Sequence, residues 1–175
     1  MNLKSKTFEI LFKNPALIGY LVKKFNDMYS DNQMGKTIVQ KLMYLLTRRG
    51  TTDFAYSLYH YGPYSSKVSA ELDFAKNLGL VDINWKDEKG FFIKPTKKID
   101  EFESLLGEED KKSIDEIVNK FGGFNAKDLS IVATAFYVMD NFDVSKNIVI
   151  DVVWGLKPKY KTHKIKTLLE RAGVI

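Results

Sequence analysis

The tetrapeptide Tyr61-Gly62-Pro63-Tyr64 constrains the chain more than any other stretch, because of what flanks it. Upstream, residues 54–61 are rich in aromatics, are bounded by turn residues and read as a β-strand. Downstream, residues 65–78 set Val68, Leu72, Ala75 and Leu78 at helical spacing, with Ser65 or Ser66 able to cap and Gly79 as the stop. Residues 80–85 and 90–94 then read as a hairpin with the charged tip Lys86-Asp87-Glu88-Lys89-Gly90, closed by Pro95. Strand, Gly-Pro hinge, helix and charged hairpin is the order of a winged helix.

On the N-terminal side, Asn14 and Pro15 suit the cap and first position of a helix with Leu17, Ile18, Leu21, Val22 and Phe25 on one face. Residues 36–49 form a second, with Ile38, Val39, Leu42, Leu45 and Leu46 inward, Arg48 and Arg49 at its C-terminal end and Gly50 as terminator. Beyond residue 96 the periodicity is helical: 97–106, 108–121, 126–141, 144–156 and 162–172. Asn125 and Asp128 resemble a capping box, and Gly173 ends the last helix. The expected fold is mostly α with minor β. A winged-helix-like part over 1–95 carries a small β-hairpin wing, and a helical bundle over 96–175 packs on it in one compact unit.

At 45% hydrophobic residues the chain can bury a real core, which excludes disorder. No apolar run approaches the ~20 residues that span a bilayer, and Asp151 interrupts the run at 148–153. No signal-peptide pattern opens the sequence. Zero cysteines removes disulfides, thiolate nucleophiles and zinc–thiolate sites together, so a cytoplasmic location is expected. The net charge of +5 is unevenly spread. Residues 1–50 carry nine Lys/Arg against three Asp/Glu, residues 101–150 five against ten, and residues 151–175 six against two. Such asymmetry suits a nucleic acid or an acidic protein face, or a solvated lysine-rich surface.

No motif specifies a reaction. Gly35-Lys36-Thr37 lacks the glycine five residues before the Gly-Lys that a phosphate loop needs; Ser30 stands there, after a helical rather than an extended segment. His60 and His163 are not linked by any motif, and the carboxylates fall mostly on solvent faces, so no catalytic residue, metal ligand set or cofactor is nominated. Tyr56, Tyr59, Tyr61 and Tyr64 serve as stacking platforms if exposed, and as lids with a wet hydroxyl if they cover a helical core. The helix before the wing offers Lys67, Lys76 and Asn77 but also Glu71 and Asp73. At the tip, Lys86 and Lys89 are balanced by Asp87 and Glu88, which is poorly suited to phosphates. Residues 157–166 are the densest basic run, five lysines in ten residues.

Together these stretches resemble a known group. The segment 36–46, Lys-Thr-Ile-Val-Gln-Lys-Leu-Met-Tyr-Leu-Leu, is similar to the Lys-x-x-x-Gln-Lys-Leu-x-Tyr helix of the YwgA-like proteins, distant relatives of the Panacea antitoxin domain of prokaryotes and phages. Residues 56–65 resemble the aromatic strand and Tyr-Gly-Pro turn of that group, and Leu156-Lys157-Pro158-Lys159-Tyr160 its C-terminal region. The resemblance implies a non-enzymatic regulatory module that neutralises or recruits a protein, antitoxin-like or adaptor-like. The expected partner surface is Gln40, Lys41, Tyr44, Tyr59, Tyr61, Gly62, Pro63 and Tyr64, and the expected partner is a toxin or a regulatory target, with a homodimer also open. The alternative expectation is a winged-helix DNA-binding regulator using Lys36, Arg48, Arg49, Lys67, Lys86 and Lys89.

Overall fold

A computed structural model describes residues 3–175. Among these residues the fold is mostly helical, with eight α-helices and two separate two-stranded hairpins. In chain order they are α1 (Leu3–Met28), α2 (Lys36–Arg48), β1 (Ser57–Tyr59), β2 (Gly62–Tyr64), α3 (Ser66–Asn77), β3 (Val81–Lys86) and β4 (Gly90–Pro95). There follow α4 (Ile99–Phe102), α5 (Glu108–Phe121), α6 (Ala126–Asn141), α7 (Val149–Leu156) and α8 (Thr162–Ala172).

Helix α2 is the axis of the molecule. It touches α1, α3, α5, α6, β2 and β4, and Ile38–Leu46 is buried without interruption. A helix surrounded on all sides is normally apolar all round. This one carries Gln40 and Lys41 in the middle of that run, so both must find partners inside the protein. One buried cluster joins Leu17, Leu21 and Phe25 of α1 to the inward residues of α2 and on to Ile131 of α6 and Leu169 of α8. The core therefore continues across Pro95.

Several elements follow their local signals closely. Ser65 caps α3, its Oγ accepting from the Val68 amide at 3.4 Å. Asn125 caps α6, accepting from the Asp128 amide at 2.9 Å. Gly173 ends α8 at φ +68°. Helices α5, α6 and α8 occupy the expected 108–121, 126–141 and 162–172.

Others depart from expectation. The first helix begins by Leu3, not at Asn14, and passes through Pro15. Proline there removes one helical hydrogen bond, but the added turns lay Phe8 and Phe12 together, ring centroids 4.4 Å apart, and bring Phe12 within 5.8 Å of Phe74 and 6.1 Å of Phe102. Asn14 reaches Glu71 Oε1 at 3.4 Å instead of capping. The expected strand over 54–61 is only its last part: Ser57–Tyr59 pairs antiparallel with Gly62–Tyr64, so Tyr-Gly-Pro is the return strand of a hairpin and not a hinge. The turn is His60-Tyr61, followed by Gly62 at φ +87°, a conformation that favours glycine. The helix expected over 97–106 is one turn of α4 and a 3-10 turn, Glu103–Leu105, and α7 starts five residues later than 144.

Strand β4 is anchored on its outer side. The Ile93 amide donates to the Met34 carbonyl at 2.9 Å, and Gln33 Nε2 donates to the carbonyls of Lys89 and Phe91 at 2.7 and 2.9 Å. No helix among the described residues is long and apolar enough to cross a membrane.

Candidate functional site

The β1–β2 hairpin is short, each strand being three residues long, and Pro63 has no amide proton to give to the ladder. Side chains from three other elements hold it. Gln40 of α2 forms a two-way clamp on the Ser65 backbone: Nε2 donates to the carbonyl at 2.9 Å while Oε1 accepts from the amide at 3.0 Å. Lys41, one residue on, donates from Nζ to the Pro63 carbonyl at 2.7 Å. Lys157, just past α7, donates to the His60 carbonyl at 3.0 Å and to Ser130 Oγ at 3.1 Å. Tyr137 of α6 donates to the Tyr56 carbonyl at 3.3 Å.

Gly62 lies at the centre of this arrangement. A Cβ on it would come within 2.8 Å of Thr134 Oγ1 and 3.1 Å of the Ser130 carbonyl, so the hairpin lies against α6 with no room for a side chain. On the other side the Lys41 stem is 3.5 Å from the same position.

Two buried lysines thus flank one turn. Lys41 is 2% exposed and Lys157 7% exposed, and among the described residues neither forms an ion pair with a carboxylate. Burial, reinforced by the nearby Lys157 charge, pushes the Lys41 ammonium down to about 7. Burial, with Lys159 adding to it, lowers Lys157 as well. Tyr44, one turn further along α2, is buried; its hydroxyl donates to Asp140 Oδ2 at 3.0 Å, and burial first, then the Asp140 charge, raise its pKa.

Over this scaffold the turn is presented outward: Tyr59 is 61% exposed and Tyr61 64% exposed. A cavity of about 440 Å³ opens beneath them, with Lys41, Gln40 and Thr37 on one side and Tyr64, Ser69 and Leu72 on another. Asp and Glu are absent from its lining. Two smaller clefts of about 360 and 350 Å³ adjoin the turn around Lys157, and they too are free of carboxylates. No group of three or more His, Asp and Glu among the described residues is placed to hold a metal ion.

The expected partner residues divide cleanly. Gln40, Lys41, Tyr44, Gly62 and Pro63 are interior, Tyr64 is half-buried, and Tyr59 and Tyr61 face outward. The expected nucleic-acid residues do not assemble. Lys36 lies over the Phe91 ring at 4.5 Å, about 18 Å along α2 from Arg48. Arg48 makes a bidentate pair with Asp140, at 2.5 and 2.9 Å, and lies 4.0 Å from the Phe136 ring; Arg49 pairs with Glu116. Lys67 is exposed on α3, Lys86 lies over Phe92 at 4.5 Å, and Lys89 is exposed at the β3–β4 tip. Sequence reasoning missed Ser130, Thr134 and Lys157. The run 157–166 reads as uniformly basic, and nothing local marks Lys157 as its buried member.

Comparison with protein-family models finds none that matches the chain, and none of the curated proteins matches it either. The three stretches 36–46, 56–65 and 156–160 nevertheless meet at one place. Gln40 and Lys41 come from the first, Pro63 and His60 from the second, and Lys157 from the third.

Proposed function

We propose that the chain is a cytoplasmic, non-enzymatic binding module that recognises a protein partner through the tip of the 57–64 hairpin, antitoxin-like or adaptor-like. The observation that carries this reading is the pairing of two largely exposed tyrosines with a backbone fixed by buried side chains. Exposed aromatic anchors on a rigid support lose little entropy on binding and dominate interface energetics. The resemblance to YwgA-like and Panacea proteins agrees with it, since the stretches that carry the resemblance are those that build the support.

The winged-helix DNA reading has the order α3, β3, β4 in its favour. Against it, Arg48 and Arg49 are already neutralised by Asp140 and Glu116. The test is co-expression with the product of a neighbouring gene that is toxic alone. Wild-type chain restores growth and co-purifies with the product, and the Tyr59→Ala/Tyr61→Ala double variant does neither while melting like wild type. Equal rescue by the double variant rejects the hairpin tip as the contact. A salt-sensitive shift of duplex DNA that is lost in Arg48→Ala/Arg49→Ala would favour the DNA reading instead.

A further inference from the structure

We propose that the cavity beneath Tyr59 and Tyr61 is a binding site for an aromatic carboxylate, which sets its anionic group against Lys41 and its ring among the tyrosines. The inference goes beyond partner recognition and stands whether or not the hairpin tip meets a protein.

Its first support is the state of Lys41. A lysine ammonium has three donors, and the one hydrogen bond it makes among the described residues is to the Pro63 carbonyl. Two donors are left on a group that is 2% exposed and lines a cavity. Holding the Pro63 carbonyl needs only a neutral donor, as Gln40 supplies to Ser65. A buried cation without a counter-charge is costly, and an anion in the cavity offsets that cost.

The second support is the lining. Lys36 and Lys41 stand in it with no carboxylate to oppose them, so the cavity selects against cations. Its apolar lining is Val39, Leu72 and the rings of Tyr59, Tyr61 and Tyr64, which suits a flat apolar body. Its volume of about 440 Å³ fits a small organic molecule. One buried ammonium matches a monoanion; Lys157 is already engaged by His60 and Ser130 on the far side of the turn. The carboxylate can belong to a free aromatic acid or to the C-terminal residue of a polypeptide.

Binding would also draw on the protonation of Lys41. In the free protein its ammonium is held at about 7, so a bound carboxylate raises it and takes up a proton above neutral pH. The other titratable groups at the site are Lys36 of α2, Tyr59, His60, Tyr61 and Tyr64 of the hairpin, and Lys157 after α7; α3 contributes only Ser69 and Leu72. Affinity for the acid is then level below about pH 7 and falls by up to about tenfold per unit above it.

The experiment titrates benzoate, benzamide, and a Gly-Gly-Phe peptide as free acid and as amide into the full chain, across neutral to alkaline pH. Binding is followed calorimetrically, and the titration of Lys41 by the 13Cε resonance of labelled lysine, assigned through Lys41→Met. The expected result is that at least one acid binds more than tenfold tighter than its amide, that its affinity falls above pH 7 in wild type and in His60→Gln, and that it raises the Lys41 midpoint. Binding of benzoate identifies a free acid as sufficient; binding of the peptide acid alone identifies a polypeptide terminus. Equal binding of acid and amide, no binding of either acid, or an unmoved Lys41 midpoint overturns the proposal. The midpoint readout in wild-type protein remains decisive if Lys41→Met fails to fold, with the assignment then taken from Lys41→Arg.

Discussion

At the scale of single residues, the chemistry of the site follows from burying groups that water would otherwise serve. Lys41 is protonated in the unfolded chain up to the ordinary lysine range but in the folded protein only up to about 7. Between those values the unfolded state binds more protons, so stability rises with pH from about 7 to about 10 and is level below that window. Chemical denaturation across this range should show a gain of a few kcal/mol in wild type. In Lys41→Met, with no proton to lose there, that share of the slope disappears and the share of Lys157, which burial also lowers, remains. Gly62→Ala meets two penalties, a positive φ and contact with Thr134 and the Ser130 carbonyl. It should lose about 3 kcal/mol in urea denaturation. Tyr59→Ala and Tyr61→Ala, on exposed side chains, should stay within about 0.5 kcal/mol of wild type. The importance of Gly62 and Pro63 was legible in the sequence, but the burial of Lys41 and Lys157 was not. A lysine's composition and spacing say nothing about whether a helix from the far end of the chain covers it.

At the scale of elements, short-range chemistry is reliable where it is self-contained. Ser65, Asn125 and Gly173 each hydrogen-bond or fold within a few residues of themselves, and α3, α6 and α8 start or stop where those residues stand. The departures have tertiary causes. Pro15 is carried inside α1 by aromatic contacts with Phe74 and Phe102, residues about 60 and 90 positions away. The β1–β2 hairpin is held in place by side chains of α2 and α6 and by Lys157. Gln40→Leu therefore leaves the buried amide of Ser65 unpaired, while its carbonyl keeps only the Ser69 amide, and should cost about 2–3 kcal/mol. Ser65→Ala removes only the cap of α3 and should cost about 1 kcal/mol. Comparing their urea midpoints separates hairpin anchoring from helix capping, and equal losses would contradict the clamp.

At the scale of the whole molecule, the uneven charge of the sequence finds its complement within the fold. The basic N-terminal helices face the acidic segment after residue 100: Lys13 pairs with Asp110, Lys23 with Asp100 and Glu103, Lys24 with Asp115, Arg48 with Asp140 and Arg49 with Glu116. Lys164, from the basic C-terminal segment, pairs with Asp128. The hydrogen bonds that Lys23 donates to Asp100 and Glu103 hold its ammonium above its usual range. Most of these pairs are partly exposed and individually weak, but they share one direction, so raising salt from low ionic strength to about 1 M should lower the urea midpoint measurably. No change with salt would mean that the charge pairing contributes nothing to stability.

Helices α5, α6 and α8, the caps at Ser65, Asn125 and Gly173 and the β3–β4 hairpin were legible in the sequence, because each rests on contacts among near neighbours. Long-range packing is what turns Gln40 and Lys41 inward, makes Gly62–Tyr64 the return strand of a hairpin and brings the basic and acidic segments together. Those outcomes depend on surfaces that become adjacent only when the chain has closed around α2.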